Sequence, residues 1–72
     1  MRIEYDPKRD LLYIYFSQAR IKAAETRTIT PGVHADFDRK GVLIGIEVID
    51  ASEIIGKEVE FSLPTLLAGV KA

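Results

Sequence analysis

Two apolar segments that meet at Asp38-Arg39-Lys40-Gly41 constrain this chain more than any other feature. The stretch from Pro31 to Ser52 reads as a hairpin, with Val33 to Phe37 and Val42 to Ile49 as its arms. Asp opens the turn and Gly closes it, which suits a type I turn whose last residue takes positive φ. Register follows from the apolar face. A four-residue loop sets Phe37 opposite Val42, Ala35 opposite Ile44 and Val33 opposite Ile46, whereas a three-residue loop brings His34 and Asp36 to the buried side. Because a one-residue slip exchanges the two faces, the four-residue loop is expected. The reverse face then carries His34, Asp36, Leu43, Gly45, Glu47 and Ile49, and it is where polar groups cluster.

The remaining segments fit the same plan. Ile3-Glu4-Tyr5 alternates apolar and polar, and Asp6-Pro7-Lys8-Arg9-Asp10 interrupts it as a turn. Leu11 to Phe16 is apolar at both parities, so a central strand covered on both faces is expected. Lys22 to Thr30 is rich in Thr and charge and stops at Pro31, which predicts an edge strand. Asp50 to Gly56 fits one helical turn ended by Gly, and Lys57 to Phe61 a short polar strand. Ser62 to Val70 has a capping Ser, Pro in its first turn and apolar residues at helical spacing, and so predicts a short C-terminal helix over 62–70. The expected fold is therefore mainly β, bordering on α+β: one domain over 1–72, with an antiparallel meander of about five strands and a short C-terminal helix.

Ten Lys and Arg against eleven Asp and Glu leave a formal charge of -1, with no basic stripe to neutralise phosphates, so no nucleic-acid partner is expected. The longest apolar runs fall far short of the roughly 20 residues that span a bilayer, so no membrane partner is expected either. Met1-Arg2 leads directly into a strand pattern without the apolar run of a signal peptide, and a cytoplasmic location follows as the expectation. There is no Cys, and no serine sits in a Gly-flanked elbow, so no catalytic set, cofactor or metal is assigned.

The candidate ligand residues are His34, Asp36 and Glu47, whose imidazole and carboxylates make an acceptable divalent-metal set. Gly45, expected opposite His34, leaves room for a ligand or for close packing. In the expected register Leu43 faces Asp36, and Glu47 reaches His34 only diagonally, which favours a solvated face. Asp36, Asp38, Lys40 and Glu47 imitate the spacing of an EF-hand calcium loop. Lys40, however, falls where an oxygen ligand belongs, and the flanks read as strands. Asp6 and Asp10 suit turn positions.

Tyr5-Asp6 with Asp10, Leu12-Tyr13-Ile14, Pro31-Gly32-Val33, Asp36, Asp38 and the run from Gly41 to Ser52 resemble a family of short prokaryotic proteins, the domain of unknown function number 2283. The resemblance covers about residues 3 to 52 and implies a compact β-rich domain with no assigned reaction. The expected role is that of an interaction module that oligomerises or binds a protein. Alternatives are ligand or metal binding at His34, Asp36 and Glu47, and an antitoxin-like partner of a cognate protein. Because Leu11, Tyr13 and Tyr15 alternate with Leu12, Ile14 and Phe16, both sheet faces carry apolar area, and one short helix covers only part of one. A two-fold homodimer is expected, with Tyr13, Tyr15, Leu66 and Leu67 at its interface.

Overall fold

The computed structural model describes residues 1–17 and 21–62. It holds five antiparallel strands, β1 (Arg2–Asp6), β2 (Leu11–Tyr15), β3 (Glu25–Thr30), β4 (Val33–Phe37) and β5 (Leu43–Ile49), followed by a short helix α1 (Ala51–Ile55). The fold is mainly β, as expected. The expected helix over 62–70, with Leu66 and Leu67, lies outside the described residues apart from Ser62. Residues 57–61, expected to form a strand, do not form one. Lys57, Glu58 and Glu60 leave only Val59 and Phe61 to drive pairing, which is too little apolar surface to order a strand.

The strands are ordered β1-β2-β5-β4-β3. The β3-β4-β5 run is a meander, and the β1-β2 hairpin docks against its far side. The chain therefore leaves β2 beside the start of β5 and enters β3 beside the end of β4, both at the sheet end that holds the Asp38 turn. One backbone hydrogen bond extends the pairing beyond each of these strand ends, from Phe16 N–H to the Ile44 carbonyl (3.0 Å) and from Ala24 N–H to the Phe37 carbonyl (2.8 Å). β3 is an edge strand, as its Thr and charge content predicts. β5, the longest strand and the richest in aliphatic side chains, takes the centre.

The turn at Asp38 corrects the expected register. Gly41 N–H donates to the Asp38 carbonyl (3.0 Å) and Asp38 N–H to that of Val42 (2.9 Å), with Gly41 at φ 84°. The loop thus has three residues, the length rejected on sequence grounds. A bulge at Ile44 restores the faces. Phe37 pairs with Leu43, but Asp36 pairs with Gly45, His34 with Glu47, Ala35 with Ile46 and Val33 with Val48. One extra residue in β5 cancels the one-residue slip, so that the apolar residues keep one face and the polar residues the other.

The apolar face buries Ala35, Ile44 and Val48, joined by Ala51 of α1. Leu12 pairs with Val48 and Ile14 with Ile46, extending this face into β2, and Ile3 and Tyr5 extend it into β1 through their pairing with Ile14 and Leu12. Every residue of β2 is half-buried, not fully covered on either side.

Helix α1 is anchored at the opposite end of the sheet. Its N-cap, Asp50, is left-handed (φ 54°) and makes no side-chain cap, so the orphan N–H groups of the first turn need other acceptors. Asp10 supplies them. Its carbonyl accepts from Ala51 N–H (2.8 Å), and its carboxylate accepts from Ser52 N–H (3.0 Å) and from the Ser52 hydroxyl (2.6 Å). The Tyr5 hydroxyl also donates to Asp10 (2.7 Å). Asp6 accepts from Lys8 N–H (3.0 Å) and so holds the β1-β2 turn.

Candidate functional site

The polar face is built on β2, β5, β4 and β3. Its organising residue is Gly45, which pairs with both Tyr15 and Asp36. Tyr13 starts opposite Glu47 and lays its ring across β5 over Gly45. Its hydroxyl donates to Asp36 Oδ2 on the far strand at 2.5 Å. A methyl group at Gly45 would lie 2.6 Å from Tyr13 Cε1. The room that Gly45 leaves is therefore filled by the Tyr13 ring. The other Asp36 oxygen accepts from the Thr26 hydroxyl, so that a carboxylate with donors on both sides ties three strands together.

Burial raises the Tyr13 phenol well above its ordinary pKa, and its hydrogen bond to Asp36 and the nearby charges of Asp36 and Glu47 act in the same direction. It stays a protonated donor at neutral pH, suited to holding Asp36 and not to abstracting protons. Tyr15 packs beside it with ring centroids 4.3 Å apart. The Tyr15 hydroxyl donates to Glu4 (3.3 Å), and the Arg2 guanidinium lies 4.4 Å from the Tyr15 ring centroid. Both tyrosines expected at an interface are thus half-buried, with hydroxyls engaged within the chain.

His34 lies directly opposite Glu47, not diagonal to it, and Gly45 lies opposite Asp36, not opposite His34. Both corrections follow from the three-residue loop and the Ile44 bulge together. His34 Nδ1 is hydrogen-bonded to the Thr28 hydroxyl at 3.0 Å, while Asp36 is taken by Tyr13 and Thr26. Among the described residues no group of three or more His, Asp and Glu side chains converges as metal ligands. Asp38, the second carboxylate of the EF-hand-like spacing, accepts from Lys40 N–H (2.8 Å) and Val42 N–H (2.9 Å) and is spent on the turn.

A shallow concavity borders this network, lined by Glu4, Tyr5, Asp6, Pro7, Leu11, Tyr13, Tyr15 and Glu47. Glu47 is half-buried in its wall and makes no hydrogen bond or ion pair among the described residues. The link of Tyr13 to Asp36 and the Tyr5-Asp10-Ser52 network were not read from the sequence. The available signal was that Tyr13, Gly45 and Asp36, and likewise Tyr5, Asp10 and Ser52, stand together among the residues that carry the family resemblance.

A family model described as Protein of unknown function (DUF2283) matches residues 2–52. The chain belongs to this family. The match ends at Ser52, the last residue tied to Asp10, so the family segment coincides with the five-stranded sheet and the start of α1. No curated protein and no solved structure matches the chain at a significant level.

Proposed function

We propose that this chain is a small interaction module that works by self-association, as a homodimer, and that offers the assembled sheet to a protein partner. The observation that carries this reading is the uncovered part of the apolar face. Ile3, Tyr5 and, just beyond β2, Phe16 are 38%, 51% and 42% exposed. Ile3 and Tyr5 lie on the face that also carries Ala35, Ile44 and Val48, separated from them by Ile14 and Leu12 of β2. A sheet with one apolar face needs a second layer, and among the described residues α1, five residues long, covers only one end, which leaves the rest of the face for the protein partner. A net charge of -1 puts little repulsion between copies. Light scattering behind size exclusion at micromolar concentration tests the reading. A mass twice the 8.1 kDa of the chain is expected, and a single-chain mass at every concentration overturns it.

A second reading, ligand binding at the polar face, draws on Glu47, unpaired among the described residues, beside the concavity. Calorimetric titration with calcium, zinc and manganese addresses it, and binding tighter than micromolar that Glu47→Ala abolishes would promote it above self-association. An antitoxin-like role falls on the C-terminal segment, outside the described residues. No helix among the described residues is long and apolar enough to cross a membrane.

A further inference from the structure

Resting on the self-association reading, we infer that a second copy of this chain pairs with the free edge of β1, antiparallel and centred on Ile3, so that two five-stranded sheets continue into one. The two edges of the sheet differ. β3 is blunted by a bulge between Thr28 and Thr30, whereas ion pairs within the strand occur on both edges, Arg27 with Glu25 at 2.9 Å and Arg2 with Glu4 at 3.4 Å. β1 is a regular five-residue strand without a bulge, Pro or Lys, and among the described residues no strand pairs with its outer side. Such an edge is a template for another strand.

The side chains select the register. Two-fold pairing that keeps faces matched can centre on Ile3 or on Glu4. Centring on Glu4 sets that carboxylate against its own copy, and like charges directly opposite are destabilising. Centring on Ile3 sets Arg2 against Glu4 of the other copy twice, and Met1 against Tyr5 twice. Ile3 meets Ile3 at the axis, on the face where Ile3 already pairs with Ile14. Charge complementarity and continuity of the apolar face therefore agree on one register.

The test uses the absence of native cysteine. Directly opposed antiparallel positions lie about 4.5 to 5.5 Å apart at Cα, within disulfide reach. Ile3→Cys is expected to form a covalent dimer on mild oxidation at least tenfold more completely than Ile29→Cys on the opposite edge. Arg2→Glu and Glu4→Arg should each weaken the dimer at least tenfold, and an equimolar mixture of the two variants should recover it. That recovery is a result that repair of contacts within one chain cannot produce. A wild-type dimer without Ile3→Cys cross-linking, or without recovery in the mixture, overturns the β1 edge and leaves self-association standing. A monomer at every concentration overturns both.

Discussion

Gly45 shows how one missing side chain sets the polar face. Only hydrogen at that position lets the Tyr13 ring cross the central strand and reach Asp36, and a methyl group would sit 2.6 Å from Tyr13 Cε1. Gly45→Ala should therefore displace the ring and cost about 1 to 3 kcal/mol. Combined with Tyr13→Ala, it should cost clearly less than the two single losses together, because the clash goes with the ring. Urea denaturation of the three variants measures the coupling. The same network predicts pH dependence at both extremes. Hydrogen bonds from Ser52 and then Tyr5 hold the Asp10 carboxyl below its ordinary value. Its contribution is thus complete above the unfolded-state pKa of about 4 and is lost as pH falls through the folded one. Tyr13 is shifted the other way, so its contribution is complete below about pH 10 and is lost as pH rises. Between these limits neither of the two groups contributes a pH slope. Asp10→Asn should flatten the acid limb and Tyr13→Phe the alkaline limb, as read by thermal melts across pH.

At the scale of the elements, the sequence revealed every strand from β1 to β5 and the turn of helix after Asp50, because alternation, Pro and Gly mark each boundary locally. The partners across the hairpin were not legible. Asp38 to Gly41 is compatible with either a three- or a four-residue loop, and the bulge at Ile44 that reconciles the shorter loop with the faces carries no mark of its own in a run of aliphatic residues. The place of β2 beside β5 was hidden for a similar reason, since a strand apolar at both parities fits any interior position. The polar cluster was legible as a face but not as a network. Tyr13 reads as apolar until its hydroxyl is seen to reach two strands away. The bulge also sharpens a stability contrast. Ile44, 7% exposed, should cost about 2 to 5 kcal/mol on replacement by Ala. Lys40→Ala, in the exposed turn, should change little, and Phe37→Ala should fall between them because that ring is half-buried beneath the Arg27 guanidinium at 4.3 Å. Denaturant midpoints of the three variants test the order. Equal losses at Ile44 and Lys40 would refute the placement of the core on this face.

For the whole molecule, size and burial bear on how stability is obtained. A chain of this length buries only about 60% of the surface its unfolded form exposes. The apolar face of this sheet also leaves Ile3, Tyr5 and Phe16 more than a third exposed. The chain has no disulfide to restrict its unfolded form, and in the proposed assembly association adds burial. If two copies unfold and separate together, the folded dimer gains on the free chains by mass action, and melting depends on concentration. Each tenfold increase in protein changes the balance by about 1.4 kcal/mol. Against the unfolding entropy of two chains of this length, that raises the melting temperature by about 4 °C. For the proposed dimer, melts from one to one hundred micromolar should therefore rise by about 8 °C, and Arg2→Glu, which sets like charges opposite in the proposed β1 pairing, should lower the wild-type curve most at the dilute end. A melting temperature that stays constant across this range would mean that each chain is stabilised by its own contacts alone, because a monomer has no term in concentration.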